Sequence, residues 1–121
     1  MLHLQAQRNL EVFLKKTGVK NFLPGDVMSF VYPDHRLDLA FRFNSLMMTT
    51  SVSTQGRNDD AFLKLMVQAG KSRTVAVLRV YFIGQELGIN AVMADNDSAE
   101  AWYRLYQSQR ALIKYYLNLT L

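Results

Sequence analysis

The sequence predicts an α+β fold, an antiparallel sheet packed by helices, with the element order α-β-β-β-α-β-β-α. Three observations predict it. Apolar residues recur at helical spacing near both ends of the chain. Between them, residues 37–43 alternate between apolar and mostly polar side chains, which is typical of a strand with one buried face. The 121 residues are 50% hydrophobic, so we expect a single domain over residues 1–121 with its own core.

The first half of the chain predicts one helix and a three-stranded meander. Leu10, Phe13 and Leu14 share one face of an amphipathic helix, which Gly18 ends. Three segments rich in β-branched and aromatic residues follow, separated by short turns, and this pattern predicts antiparallel neighbours. In order, the predicted elements are a helix over 2–16 and strands over 27–32, 37–43 and 46–53.

The second half predicts a helix, a hairpin and a long final helix. Asn58 is suited to cap a helix that Gly70 closes. The run over 74–82 favours a strand, with a helix as the alternative, because short apolar runs fit both. Asp97 and Glu100 lie at capping-box spacing before the last helix. In order, the predicted elements are a helix over 59–69, strands over 74–82 and 89–94 joined by a turn over 84–88, and a helix to about residue 117.

Composition and spacing exclude several kinds of chemical site. The chain has no cysteine, which removes disulfides, thiolate metal sites and cysteine nucleophiles. The two histidines, His3 and His35, lack ligand spacing, and a lone histidine in a hairpin loop is expected to be solvated. The Gly-Lys-Ser triplet at 70–72 lacks the earlier glycine of a phosphate-binding loop, since Leu65 stands there. We therefore expect no metal, no cofactor and no enzymatic activity.

The N-terminus and the apolar runs predict a cytoplasmic protein. Residues 1–8 lack the basic-then-apolar order of a signal peptide. No apolar run reaches the roughly 20 residues that a membrane span needs, so no membrane association is expected. The net charge of +4 is unevenly spread, because residues 81–100 carry four carboxylates and no lysine or arginine. Residues 1–20 and 57–80, by contrast, each carry a net charge of +3. Such blocks can steer an acidic partner or nucleic acid, and the alternative is an ordinary solvated surface of mixed charge.

Residues 51–83 support a DNA-binding hypothesis. A polar strand, a helix and a second apolar stretch resemble a ribbon-helix-helix unit, in which strands of two chains pair and read the major groove. In such a regulator the strand residues face the bases, and the backbone after the helix holds a phosphate. The candidate nucleic-acid-binding residues are Ser51, Ser53, Gln55, Lys71, Ser72 and Arg73. This hypothesis leaves the preceding meander without a role.

The whole chain resembles the small class I chaperones of type III secretion systems in length and element order. The segments FLKLMVQAG, VAVLRVYF and SAEAWYRLYQSQRALIKYYL fall where that family has its middle helix, hairpin and C-terminal helix. The resemblance implies a non-enzymatic homodimer, paired through the middle helix and the hairpin, that binds a secreted virulence effector. One departure is the sequence pI of ≈ 9.5, because these chaperones are usually acidic.

The resemblance also implies where the client binds. An extended client segment adds a strand to the sheet edge and lays apolar side chains beside the N-terminal helix. The candidate partner-binding residues are Leu10, Phe13, Leu14, Met28 and Phe30. The alternative is that these side chains belong to the core. The sequence thus supports two hypotheses, a chaperone-like protein-binding dimer and a DNA-binding transcriptional regulator.

Overall fold

The computed structural model describes residues 2–74 and 76–121. These residues form three helices and five strands in the predicted order, and the predicted α+β class is confirmed. The elements are α1 (Leu4–Lys16), β1 (Val27–Val31), β2 (Arg36–Arg42), β3 (Ser45–Ser53), α2 (Asp59–Lys71), β4 (Arg79–Ile83), β5 (Glu86–Ala94) and α3 (Ala99–Leu119).

The five strands form one antiparallel sheet in the order β1-β2-β3-β5-β4. The predicted meander of β1, β2 and β3 is present, and β5 then pairs with β3 along its whole length. The sheet therefore has β3 at its centre, while β1 and β4 form its two edges.

Alternation along the strands gives the sheet one covered face and one open face. On the covered face, Leu39, Met48 and Ala91 lie side by side on β2, β3 and β5 and are almost completely buried. α3 contacts β3 and β5, and both α1 and α2 pack against α3. Two buried clusters result, one shared by α1 and the N-terminal half of α3, the other by α2 and its C-terminal half.

Polar side chains fix α3 on the sheet. The buried side chain of Gln109 donates to the Met48 carbonyl at 3.0 Å and accepts from the Thr50 hydroxyl at 2.7 Å. The Tyr116 hydroxyl accepts the backbone N–H of Asn58, the cap of α2, at 2.9 Å. Because buried polar groups must be hydrogen-bonded, these contacts define how far α3 can slide or rotate.

The second hairpin differs from the prediction over 74–82 and 84–88. β4 begins only at Arg79, so residues 74 and 76–78 lie outside any strand, and Val75 falls outside the described residues. The turn is confined to two residues, and Gly88 lies within β5. Gly88 lies in the strand because the ring of Tyr81 on β4 covers it. The ring is so close that a Cβ at position 88 would lie 2.1 Å from the ring carbon Cζ.

Two predicted helix ends are also corrected. α2 continues through Gly70 to Lys71, because Gly70 does not adopt the positive φ that ends a helix. The cap of α3 is Ser98 rather than Asp97, since the Ser98 hydroxyl accepts the N–H of Ala101 at 3.0 Å.

The prediction that Phe43 continues the alternation of β2 is wrong. Phe43 and Asn44 have φ values of 52° and 61°, which form the two-residue turn to β3. Positive φ disfavours a residue with a bulky side chain, so Phe43 is a strained position. Its ring is 84% exposed, and the Arg42 guanidinium lies 4.9 Å from the ring centroid.

Candidate functional site

The five residues predicted to bind a partner lie together, but on the inside of the chain. Leu10, Phe13 and Leu14 form the buried face of α1. Met28 is buried on β1, and Phe30 packs partly buried against the same cluster. These residues therefore do not form the exposed apolar patch that was expected, because α1 and β1 turn their apolar faces toward a common core.

The ribbon-helix-helix interpretation of residues 51–83 is wrong. Ser51 is only 1% exposed and lies on β3, which is flanked by β2 and β5. A strand that reads DNA in that unit must pair with a second chain, and a central strand has no free edge for it. The residues after α2 contain β4 instead of the required second helix.

The remaining nucleic-acid candidates do not form one site. Ser53 and Gln55 precede α2, while residues 71–73 follow or end it, and a helix of 13 residues is about 20 Å long. The backbone N–H of Ser72 already donates to the Ala69 carbonyl at 3.1 Å. A helix C-terminus also carries partial negative charge, which disfavours a phosphate. The structure thus gives these residues no shared phosphate site.

Within residues 2–74 and 76–121, no strand pairs with β1 on the side that faces away from β2. Hydrogen bonds join the Phe41 N–H to the Asp26 carbonyl at 2.7 Å and the Tyr32 N–H to the His35 carbonyl at 2.8 Å. Because hydrogen-bonded and non-bonded pairs alternate along antiparallel strands, every second residue between them directs its N–H and C=O away from β2. These residues are Val27, Ser29 and Val31, which we call the β1 edge.

Exposed apolar side chains surround the β1 edge. Val27 is 78% and Val31 83% exposed. Val27 also begins a row across the open face of the sheet, because it pairs with Ala40, Ala40 with Met47, and Met47 with Val92. Met47 and Val92 are exposed as well. The open face therefore offers an apolar row directly beside an unpaired strand.

A second exposed apolar surface runs along α2. Leu63, Met66 and Val67 lie one helical turn apart and are exposed, and we call them the α2 stripe. The opposite side of α2 is buried through Ala61, Leu65 and Ala69. The resemblance implies pairing through this helix, and apolar residues around the whole circumference of a helix indicate that both faces have neighbours.

His35 is buried, contrary to the expectation of a solvated loop histidine. Its ring stacks on Tyr32 with centroids 4.4 Å apart. Nδ1 lies 2.6 Å from Asp34 Oδ1, and Nε2 lies 2.6 Å from the Tyr106 hydroxyl. A neutral ring that donates from Nδ1 to the carboxylate accepts the Tyr106 proton at Nε2. No local pattern could reveal this, because 71 positions separate His35 from Tyr106.

These contacts shift two pKa values. The hydrogen bond from His35 lowers the pKa of Asp34, and the Arg110 guanidinium, 2.8 Å from the carboxylate, acts in the same direction. Burial raises the pKa of Tyr106 to about 12. At neutral pH the carboxylate is therefore charged and the phenol protonated, so the cluster links the β1–β2 hairpin to α3 through hydrogen bonds.

Neither a metal centre nor a membrane helix emerges from the described part of the chain. Within residues 2–74 and 76–121, no group of three or more His, Cys, Asp or Glu side chains could hold a metal ion. No helix in these ranges is long and apolar enough to cross a bilayer.

Comparison with known proteins agrees with this fold. The crystal structure of YbjN from E. coli, described as a candidate transcription regulator, is 10% identical, with a TM-score of 0.57 over 94% of this chain and 90% of that chain. At this identity the likeness shows the fold alone. No curated protein matches the sequence. Residues 3–116 match the SsaM family, which fits a small secretion-chaperone-like protein. The chain therefore belongs to the SsaM family.

Proposed function

We propose that this chain is a non-enzymatic, secretion-chaperone-like protein of the cytoplasm that binds an extended segment of a secreted client protein. The observation that carries the proposal is the β1 edge, an unpaired strand beside exposed valines. Membership of the SsaM family supports a protein client.

The β1 edge suits addition of a client strand. Val27, Ser29 and Val31 offer N–H and C=O groups in the spacing that an antiparallel or parallel strand requires. Backbone hydrogen bonds supply affinity for many sequences, while apolar pockets select alternate side chains of the client. The row from Val27 through Met47 to Val92 supplies those apolar contacts on the open face. Natural edge strands usually carry charges or prolines that prevent such pairing, and β1 has neither.

The proposed active form is a homodimer that pairs through the α2 stripe. Exposed apolar side chains at helical spacing are typical of a helix that packs against another helix. The β4 edge lies beside α2, because Phe82 packs against Phe62 with ring centroids 5.5 Å apart. Pairing there buries the α2 stripe and leaves both β1 edges of the dimer free for clients.

Ser29→Pro tests the client edge. Proline removes the N–H that points away from β2, so it deletes a hydrogen bond to the client without removing one from the sheet. Ser29→Ala is the matched control, because it keeps that N–H. We expect tagged wild type and Ser29→Ala to retain a stoichiometric client protein from the native host after nuclease treatment, while Ser29→Pro loses it at unchanged melting temperature.

Two results contradict the proposal. Equal client recovery with Ser29→Pro and Ser29→Ala would exclude pairing at the β1 edge. Partners that disappear on nuclease treatment of the wild type would show that nucleic acid, rather than a protein segment, holds the complex together.

A further inference from the structure

The flank of α3 that faces α1 and the β1–β2 hairpin carries cations held over tyrosine rings. The Lys16 ammonium lies 5.4 Å from the Tyr103 ring centroid, and the Arg110 guanidinium carbon lies 5.8 Å from that of Tyr106. Lys114 follows Arg110 one helical turn later and is exposed. We call Lys16, Arg110 and Lys114 the basic flank.

A shallow groove accompanies the basic flank. It has a volume of ≈ 300 Å³, and its lining contains the cations Arg110 and Lys114 but no carboxylate. A smaller cavity of ≈ 100 Å³ shares Arg110 and Lys114 with this groove, and its lining also includes Ile113, Leu117 and the Asp34 carboxylate that is paired with Arg110. The surface thus combines positive charge with apolar side chains.

The cations of the flank retain donors for a partner. Arg110 uses one guanidinium nitrogen for Asp34 at 2.8 Å, whereas a guanidinium has five N–H donors. The lowered pKa of Asp34 keeps that carboxylate charged, so it holds Arg110 in place over Tyr106. Lys16 and Lys114 have no carboxylate partner within the residues that the structure describes. Because Lys16 and Arg110 are already positioned by ring contacts, and Arg110 also by Asp34, binding costs these two side chains little entropy.

We propose that the basic flank of α3 binds an acidic segment of a partner protein. An acidic segment complements the charge of this surface, because its carboxylates can pair in turn with Lys16, Arg110 and Lys114. Tyr103 and Lys114 are eleven positions apart, about 16 Å along a helix, which corresponds to about five residues of extended chain. The inference rests on the proposed function, because it names the chemistry of a second contact with the same client.

The test is fluorescence anisotropy of the full chain with a labelled synthetic peptide rich in Glu and Asp. Lys16→Glu combined with Lys114→Glu is the test variant, because among residues 2–74 and 76–121 neither lysine forms an ion pair whose loss would disturb the fold. Lys64→Glu combined with Lys71→Glu on α2 is the control with the same change in net charge. We expect the affinity to fall about tenfold in the first variant and by less than about twofold in the second at about 0.15 M salt.

Three outcomes would overturn the inference. The wild type could fail to bind the peptide, or both charge-reversal variants could weaken binding equally, which would indicate net charge alone. A single-stranded DNA oligonucleotide of equal charge could also bind the same flank more tightly than the peptide, which would assign the flank to nucleic acid.

The inference and the proposed function can fail separately. If the variant with Lys16→Glu and Lys114→Glu binds the peptide as tightly as the wild type while Ser29→Pro still abolishes client recovery, the basic flank is excluded as a binding site and the β1 edge is retained. If the peptide result is as expected but Ser29→Pro retains the client, the β1 edge is excluded and the basic flank stands.

Discussion

His35 shows how a single residue takes its role from distant partners. Its imidazole occupies a buried position between Tyr32, Asp34 and Tyr106, so both ring nitrogens are hydrogen-bonded. A buried polar ring without these partners would be strongly destabilising. The hairpin loop is therefore packed into the core, and its Asp34 carboxylate also accepts a hydrogen bond from Arg110 of α3.

Tyr106→Phe tests this cluster. The change removes the hydroxyl from His35 Nε2 while keeping the ring contacts, so we expect the free energy of unfolding in urea to fall by about 1 kcal/mol. Tyr103→Phe is the matched control, because the Tyr103 hydroxyl has no hydrogen bond within the described residues, and we expect a change below about 0.5 kcal/mol. Equal effects of both substitutions would contradict the hydrogen bond to His35.

Tyr106→Phe should also change how the stability of the protein depends on pH in alkaline solution. The folded pKa of Tyr106 is about 12, above the value of about 10 for an unfolded tyrosine. The unfolded chain therefore loses this proton first, so the contribution is complete below pH 10 and is lost as pH rises toward 12. Wild-type stability should fall more steeply over that interval than the stability of Tyr106→Phe. Parallel curves would show that Tyr106 titrates normally.

At the scale of elements, the β4–β5 hairpin is shaped by one contact between its strands. Gly88 in β5 has no side chain, and the ring of Tyr81 in β4 fills the space above it. Glycine usually weakens the interior of a strand, but here the cross-strand ring supplies the missing contact. This pair explains why Gly88 belongs to a strand although glycine is typical of turns.

A double-mutant cycle tests this pair. We expect Gly88→Ala to lower the free energy of unfolding by about 1 kcal/mol, because the new methyl group displaces the Tyr81 ring. In a Tyr81→Ala background the same change should be neutral or stabilising by up to about 1 kcal/mol, since alanine suits a strand better than glycine. Urea unfolding of the four variants gives the coupling energy. Additive effects would exclude the contact.

At the scale of the whole molecule, the α2 stripe determines whether the protein is a monomer or a homodimer. Leu63, Met66 and Val67 are exposed beside the β4 edge, which is the surface that the proposed homodimer buries. A charge at its centre should prevent pairing, because an unpaired carboxylate inside an apolar interface is costly.

Leu63→Asp tests the dimer. We expect the mass measured by light scattering to change from that of two chains in the wild type to that of one chain in Leu63→Asp, with helix content retained. Val12→Asp on α1 is the matched control, because Val12 is also an exposed apolar helix residue away from α2, and it should remain dimeric. A monomeric wild type would contradict the proposed homodimer.

The class and the order of the elements follow from the amino-acid sequence without any tertiary information. Local periodicity and turn residues suffice for this, because a strand such as residues 37–43 must alternate to bury one face and a helix must end near residues that cap it. Boundaries failed where the backbone departed from the local preference. Gly88 lies in a strand because the Tyr81 ring of the paired strand covers it, and Phe43 adopts a positive φ in the turn although its apolar side chain fits the pattern of residues 37–43.

Which apolar residues lie on the surface depends on how the elements pack together. Leu10, Phe13 and Leu14 fit a core face or a binding face equally well by spacing, and the packing of α1 against α3 made them core. The β1 edge became visible only after the strand order was known, because an edge strand is defined by its missing neighbour. The burial of His35 and the position of Lys16 over Tyr103 likewise depend on contacts between residues far apart in sequence, which periodicity does not encode.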